Sequence, residues 1–359
     1  MSQGDTALPV AVVGVGRMGR HHARTYAQNL SAKNASEVKL PGAKLLAVVD
    51  FDEERRETVA DLYGCDALPD VETLLKKYPD VAAVTVATPT QHHLAAARPL
   101  LEHGVACLVE KPMAPTVDEA RELADIAKRH NVVLQVGHTE RFNPAVRAVA
   151  AMNVTARFME VDRVSPMTFR SLDVGVVMDM MIHDLDIVLM LARSPIAKVD
   201  AAGVAVLTDH EDIASARITF ENGCVANLAA SRLALKTERK MRVFSDQAYV
   251  SLDYQAKAGM LVRKTADHMD ALKLVRDRLA AGQDLSDLDY SSLIHVEQLE
   301  MGEGVNDPLT LELSSFLAAV RGGDVEVNAE AGIAAVDAAQ RVVQSLREHK
   351  WDGMDGCRV

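Results

Sequence analysis

VAVVGVGRMG, residues 10–19, decides how the first third of the chain is read. An apolar, strand-like run ends on Gly14, and Gly14, Gly16 and Gly19 then give a G-x-G-x-x-G spacing that opens a helical stretch. The spacing alone is weak, but between a strand and a helix it is a strong signal for a dinucleotide. The first glycine permits a tight turn, the second lets the backbone approach a pyrophosphate, and the third allows close helix–strand packing. The helix N-terminus meanwhile faces the negative phosphates. Arg17 and Met18 lie inside the pattern and count with the glycines as expected cofactor contacts. A merely flexible glycine turn is the plain alternative.

Working outward, strand-like and helical runs alternate: AKLLAVVD (43–50), DEERRETVADLYG (52–64), VAAVTVATP (81–89), QHHLAAARPLLEHG (91–104), VACLVE (105–110) and VVLQVGH (132–138). Short apolar strands separated by amphipathic helices read as βαβ units, hence a doubly wound parallel sheet of the α/β class. Thr116 with Glu119 makes a capping box that starts one of these helices. Asp50 ends the second strand and is placed to accept hydrogen bonds from an adenosine ribose, which favours NAD over a 2′-phosphorylated cofactor. Its gap from Gly19 exceeds the usual ~20 residues, and a polar stretch around 29–42 accounts for the excess. Arg55 and Arg56 follow closely and would suit a 2′-phosphate, so NADP stays open beside NAD. Thr88 and Pro89 fall at the carboxyl edge where the cofactor would lie, though proline also favours an ordinary turn.

After about Gly137 the rhythm changes. A helix is expected near 174–192, followed by strand-like runs AAGVAVLT (201–208), IASARITF (213–220), CVANLAAS (224–231), KMRVFS (240–245) and AYVSLD (248–253), joined by turn residues such as Glu221-Asn222-Gly223. Consecutive strands with short connections predict a mostly antiparallel sheet in a second, α+β domain. The expected division is residues 1–138 and 139–359. One face of that sheet is expected to cover the active site and the other to build an oligomer. Residues 265–304 are charged and helical in pattern and read as an insertion or a subunit contact. The Ala-rich helix at 329–349 reads as packing material, turned back toward the first domain.

The 359 residues carry a net charge of -12, with Lys+Arg 39 against Asp+Glu 51, so no basic stripe offers itself to a nucleic-acid backbone. Four cysteines, Cys65, Cys107, Cys224 and Cys357, have no CxxC spacing and indicate neither a zinc site nor a disulfide framework. No run of about 18 apolar residues predicts a membrane span. The start, MSQGDTALP, carries no leader pattern, and a reducing cytoplasm is the expected location.

Glu110-Lys111-Pro112 closes a strand and places one ammonium group at the sheet edge where ligands bind. Pro112 fixes φ after the lysine, and a cis Lys111–Pro112 bond is one way to set its direction. Farther on, Asp179 and His183 stand four residues apart on a helix that is otherwise apolar almost all round. At roughly 100° per residue Asp179, His183 and Asp186 share a narrow arc, and a polar stripe on a buried helix must face partners or a cavity. Alternatives are a histidine satisfied by a carboxylate in the core, or a metal ligand, for which no further ligand cluster stands in the sequence. Facing a nicotinamide, His183 would take the proton of a secondary alcohol as hydride leaves. Lys111 would hydrogen-bond the same oxygen, and Asp179 would orient His183 or bind a neighbouring hydroxyl.

The glycine motif, the A-T-P-T segment with His93 four residues after Pro89, Glu110-Lys111-Pro112, Asp179-x-x-x-His183 and the closing stretch DPLTLELSSFLAAVRGG together resemble the Gfo/Idh/MocA oxidoreductases, over nearly the whole chain. The resemblance implies a Rossmann domain followed by an open-faced sheet domain, and oxidoreduction of sugars or cyclitols. It implies Lys111, Asp179 and His183 as the catalytic set, with Pro112 shaping the nicotinamide pocket and Glu110 and His93 counted among the cofactor residues. GHTERFNPAV, DRVSPMTFR and DVGVVMDMMIHDLDIV are similar to the branch that oxidises the 3-hydroxyl of UDP-N-acetylglucosamine, whose ketone passes to a pyridoxal-phosphate aminotransferase. That pattern implies Arg141 and Asn143 as contacts of the sugar or pyrophosphate, and Arg163 and Arg170 are further substrate candidates beside the plain reading of surface arginines. A homodimer or homotetramer is expected. A dehydrogenase of a free sugar or inositol, and a non-catalytic NAD-binding sensor, are the competing readings.

Overall fold

The computed structural model describes residues 7–27, 42–152, 154–168, 174–286, 293–299 and 307–351. By contacts the chain divides into one unit of Met1–Phe142 with Asn306–Arg341, and another of Asn143–Val305 with Val342–Val359.

In the first unit six strands, β1 (Leu8–Val13), β2 (Ala43–Val49), β3 (Asp66–Leu68), β4 (Ala83–Val86), β5 (Ala106–Glu110) and β6 (Leu134–Gly137), form one parallel sheet in the order β3-β2-β1-β4-β5-β6. β1, β4 and β5 are nearly continuous apolar runs because helices cover both faces. The helices are α1 (Arg17–Ala27), α2 (Glu53–Tyr63), α3 (Val71–Lys77), α4 (His93–Glu102) and α5 (Val117–His130). Two apolar clusters fill the layers, one around Leu74, Leu100 and Leu123, the other around Tyr26, Leu313 and Phe316. The strand order reverses between β1 and β4, and ligands of such sheets bind at the carboxyl ends flanking that switch point. α5 begins as the capping box predicts, with Thr116 accepting from the Glu119 amide.

The second unit holds α6 (Pro144–Ala151), β7 (Phe158–Val164), a π-helical segment Val177–Met181 running into α7 (Ile182–Ala192), and the strands β8 (Ile196–Val204), β9 (Ile213–Phe220), β10 (Val225–Ser231), β11 (Glu238–Phe244), β12 (Ala248–Asp253) and β13 (Ala258–Lys264). α8 (His268–Ala280) and β14 (Ile294–Gln298) follow. The eight-stranded sheet runs β14-β13-β12-β11-β7-β10-β9-β8 and is antiparallel except where β7 pairs with β10. Along β9 buried residues alternate with half-buried or exposed ones, so one sheet face is covered and the other is not. α9 (Pro308–Val320) and the first part of α10 (Ala329–Glu348) count with the first unit.

Three local expectations are corrected. The strand expected at 201–208 lies at Ile196–Val204, because the amides of Val206, Leu207 and Thr208 turn inward to the Asp212 carboxylate instead of extending the ladder. Among the described residues of 265–304 the helical reading holds for α8, while the alternating stretch IHVEQ instead adds β14 to the sheet edge. The helix expected at 174–192 opens as a π-turn, so the 100° step does not carry across Asp179.

Candidate active site

The turn after β1 is built as its glycines suggest. Gly14 has φ +83°, and a Cβ there would stand 2.6 Å from the Thr88 amide nitrogen, while one at Gly19 would stand 1.8 Å from the Gly14 carbonyl. At Gly16 a Cβ would meet nothing within 4 Å, which leaves the backbone open to a ligand. Arg17 and Met18 begin α1, whose first turn carries no acid to oppose a phosphate. The Thr88 hydroxyl is buried without a hydrogen-bond partner among the described residues, a group that a ligand would satisfy. These features fit a dinucleotide.

Asp50 closes the loop from the other side. Its Oδ2 accepts from the Val15 amide at 2.8 Å and its Oδ1 from the Asp52 amide at 3.0 Å. Each oxygen retains a lone pair for a ribose hydroxyl. Arg55 pairs with Asp50 at 3.6 Å and with Asp52 at 3.2 Å, and Arg56 with Glu53 at 3.6 Å, so both guanidiniums are already answered by carboxylates. Phe51, 84% exposed, presents an apolar ring next to Asp50.

His93 staples the loops after β4 and β5. Its Nε2 lies 2.9 Å from the Thr88 carbonyl and its Nδ1 2.9 Å from the Pro112 carbonyl. Burial holds the ring below its usual pKa against the pull of these carbonyls and of Glu110, which favours the neutral form. Pro89 starts the turn leading into α4. The Lys111–Pro112 bond is cis. Lys111 is half-buried, and its amide donates to Glu110 Oε2 at 3.3 Å. The other Glu110 oxygen accepts from His22 Nε2 at 2.7 Å. Burial alone would raise the Glu110 carboxyl, but the His22 hydrogen bond and the nearby positive charge carry it below the usual range.

In the second unit Asp179 sits on the π-turn and His183 on the first turn of α7, both half-buried, His183 between the buried Ile182 and Asp184. π-turns inside helices often mark functional positions. The entry to this helix is held from outside. Glu211 accepts from the Val177 amide at 3.0 Å, its carbonyl accepts from Val176 at 3.0 Å, and Arg232 donates to the Val174 carbonyl at 2.7 Å. Gly175 must lack a side chain, since a Cβ would fall 1.9 Å from Glu211 Oε1.

Arg163, expected among the substrate contacts, is buried on β7 and grips Asp184 of α7 with two bonds of 2.6 and 2.8 Å. Asn143 is also buried, capping α6 through the Ala145 amide and donating to the Tyr254 carbonyl at 3.2 Å. Arg141 is half-buried in the turn Thr139–Phe142. Arg170 lies outside the described residues. Thus Gly14, Gly16, Gly19, Asp50, Thr88, His93, Glu110 and Lys111 gather at the carboxyl ends of the parallel strands, while Asp179, His183 and Arg163 gather around α7. Sequence reasoning missed Glu211 and Arg232, which carry no motif. It also missed Glu312, whose one available signal is a lone acid inside the apolar run LTLELSSFL.

A model of the oxidoreductase family with an NAD-binding Rossmann fold matches residues 8–138, and one of the GFO/IDH/MocA C-terminal domain matches residues 147–251. The chain belongs to the Gfo/Idh/MocA oxidoreductases. The UDP-N-acetylglucosamine 3-dehydrogenase of Acidithiobacillus ferrooxidans is 38% identical over 271 residues, 75% of this chain and 82% of that protein. A solved structure of that enzyme superposes with a TM-score of 0.79 at 33% identity, covering 94% of this chain and 97% of the other. The inositol 2-dehydrogenase of Rhizobium meliloti is 23% identical over 355 residues, 94% of this chain and 97% of that one. As a Gfo/Idh/MocA member the chain is an NAD(P)-dependent dehydrogenase acting on CH–OH groups. No helix among the described residues is long and apolar enough to cross a membrane.

Proposed function

We propose that this dehydrogenase oxidises the 3-hydroxyl of UDP-N-acetylglucosamine to a ketone with NAD. The observation that carries the reading is the 38% identity to an enzyme of that name, extending over three quarters of this chain. The turn of Gly14, Gly16 and Gly19 with Asp50 would hold NAD, which would supply the hydride acceptor for the carbinol carbon. The hydroxyl proton goes to the His183 imidazole, and the Lys111 ammonium donates a hydrogen bond to the same oxygen as its negative charge grows. Asp179 orients His183. Alcohol and NAD thus give ketone, NADH and one proton.

Asp50 supports NAD over NADP, because a 2′-phosphate would meet its carboxylate while Arg55 and Arg56 are engaged by acids. Phe51 offers the surface an adenine would cover. Arg141 is the remaining described candidate for the sugar diphosphate, with Arg163 acting through Asp184 on α7 and Asn143 through the start of α6. The uncovered sheet face, with Val204, Ile213, Met260 and Val296 exposed, suits a homodimer or homotetramer in the cytoplasm. The ketone would be consumed by a pyridoxal-phosphate aminotransferase.

The test is NADH formation at 340 nm with UDP-N-acetylglucosamine and, in parallel, myo-inositol, with mass spectrometry of the product. Turnover of the nucleotide sugar with loss of two hydrogens is expected. Turnover of inositol alone would replace the reading with the polyol one, which the near full-length inositol relative favours. No turnover of any sugar would leave a non-catalytic NAD sensor.

A further inference from the structure

Behind the loop that carries Lys111 lies a buried cluster which the proposed chemistry does not use. His22 of α1, Glu110 at the end of β5 and Glu312 of α9 place one ligand atom each within 4.8 Å of the others. His22 and Glu312 are both 0% exposed. The His22 ring is joined to Glu110 at 2.7 Å. The Glu312 carboxyl meets the Thr139 hydroxyl at 3.1 and 3.2 Å, and its backbone carbonyl accepts from Gln135 Nε2 at 3.3 Å. Glu312 therefore ties α9 to the turn carrying Arg141, and its carboxyl stands within 4.8 Å of a Glu110 oxygen without a hydrogen bond between them.

We propose that Glu312 is a positioning residue for Lys111, acting through Glu110, whose second oxygen holds the Lys111 amide. Two buried carboxyls this close cannot both ionise. His22 selects Glu110 as the charged one, and burial together with that charge pushes Glu312 well above the usual carboxyl range. A neutral Glu312 adds no like charge beside the Glu110 carboxylate from whose backbone Lys111 departs, and it keeps a polar group next to that carboxylate, anchored on Thr139, which an apolar side chain would not. A mid-helix acid among Leu309, Leu313 and Phe316 would otherwise be better replaced by an apolar side chain.

The inference rests on the role proposed for Lys111, so its test reads the lysine directly as well as turnover. In the full-length protein, the acetylation rate of Lys111 by dilute acetic anhydride is followed by peptide mass spectrometry from pH 6 to 10, with Lys198 as internal control. Glu312→Leu is expected to change the Lys111 rate at least threefold, and Glu312→Gln, the isostere of the neutral acid, to restore it. With NAD and UDP-N-acetylglucosamine, kcat should fall about tenfold for Glu312→Leu while KM and NADH affinity stay within threefold. If the Leu chain does not fold, Glu312→Asp decides by the same labelling.

A wild-type labelling rate in the Leu or Asp variant would overturn the proposal. So would a stoichiometric transition metal in the purified protein that is lost with Glu312→Leu, since the trio would then be a metal site. If Lys111→Met keeps full turnover, the proposed chemistry fails, whatever the labelling shows. If Lys111→Met is inactive but labelling ignores Glu312, only the positioning role fails.

Discussion

The carboxyl edge of the parallel sheet and the helix that begins at Val177 both hold polar side chains in apolar surroundings, by different means. At the sheet edge the holding is mostly done by backbone. Gly14 turns, Asp50 takes the Val15 and Asp52 amides, and His93 reads the carbonyls of Thr88 and Pro112. Around α7 it is done by charged side chains far away in sequence, with Arg163 on Asp184, Glu211 on the Val177 amide, and Arg232 on the Val174 carbonyl and paired with Asp212 at 3.3 Å. Backbone devices need particular residues at particular spacings and so leave a local pattern. Ion pairs need one opposite charge anywhere along the chain.

The largest effect expected is on turnover. Lys111→Met and His183→Ala each remove a residue from a different region, and if both serve one hydroxyl each should lower kcat by about 10² to 10⁴. NADH affinity, read by fluorescence titration, should stay within a few-fold in His183→Ala. Near-normal kcat in either variant would separate that region from the chemistry.

The next effect sharpens the contrast itself. Arg163 and Asp184 are almost wholly buried, so Asp184→Leu alone strands a guanidinium and should cost about 3–5 kcal/mol in urea unfolding. Arg163→Met with Asp184→Leu should recover most of that loss, because an apolar pair of similar volume replaces a buried ion pair at little cost. kcat should not recover with it if the pair also sets the angle of α7. Full recovery of both would make the pair a purely structural bond.

How much could be read beforehand follows the same division. The parallel sheet, its glycine turn, Asp50 and the strand end at Lys111 were legible because each is written in contiguous residues. β9 and β12 were legible to the residue from their alternation. The end of β8 was not, because what stops it is the Asp212 carboxylate, eight residues past Val204, whose amide bonds hold it below the usual pKa against the burial that would raise it. The π-turn under Asp179 was illegible too, as no residue type demands it. That Arg163 and Asn143 are buried was not legible either, because sequence shows the group and not its burial.

A smaller effect belongs to Asp50. Asp50→Ser removes the charge that opposes a 2′-phosphate and leaves Arg55 with Asp52 as its carboxylate partner, so NADP should gain on NAD in kcat/KM by roughly tenfold, or about 1.4 kcal/mol. An unchanged ratio would mean that discrimination lies elsewhere on the loop.

The smallest effect tests the sheet edge at the cluster of His22, Glu110 and Glu312, where side chains meet one another. Glu312 folds neutral although an unfolded glutamate is ionised above its ordinary value of about 4.3. The folded chain therefore binds a proton that the unfolded chain has released, and stability falls as pH rises from that value toward the raised one. Glu312→Gln needs no such proton. Its melting temperature should match that of the wild type near pH 4 and exceed it increasingly toward pH 8, by a few degrees for each kcal/mol of proton uptake avoided. A difference that stays flat with pH, or favours the wild type at pH 8, would mean that Glu312 is ionised in the folded chain. The cluster would then need a cation beside His22, and the edge of the sheet would be held by charge in the same way as α7.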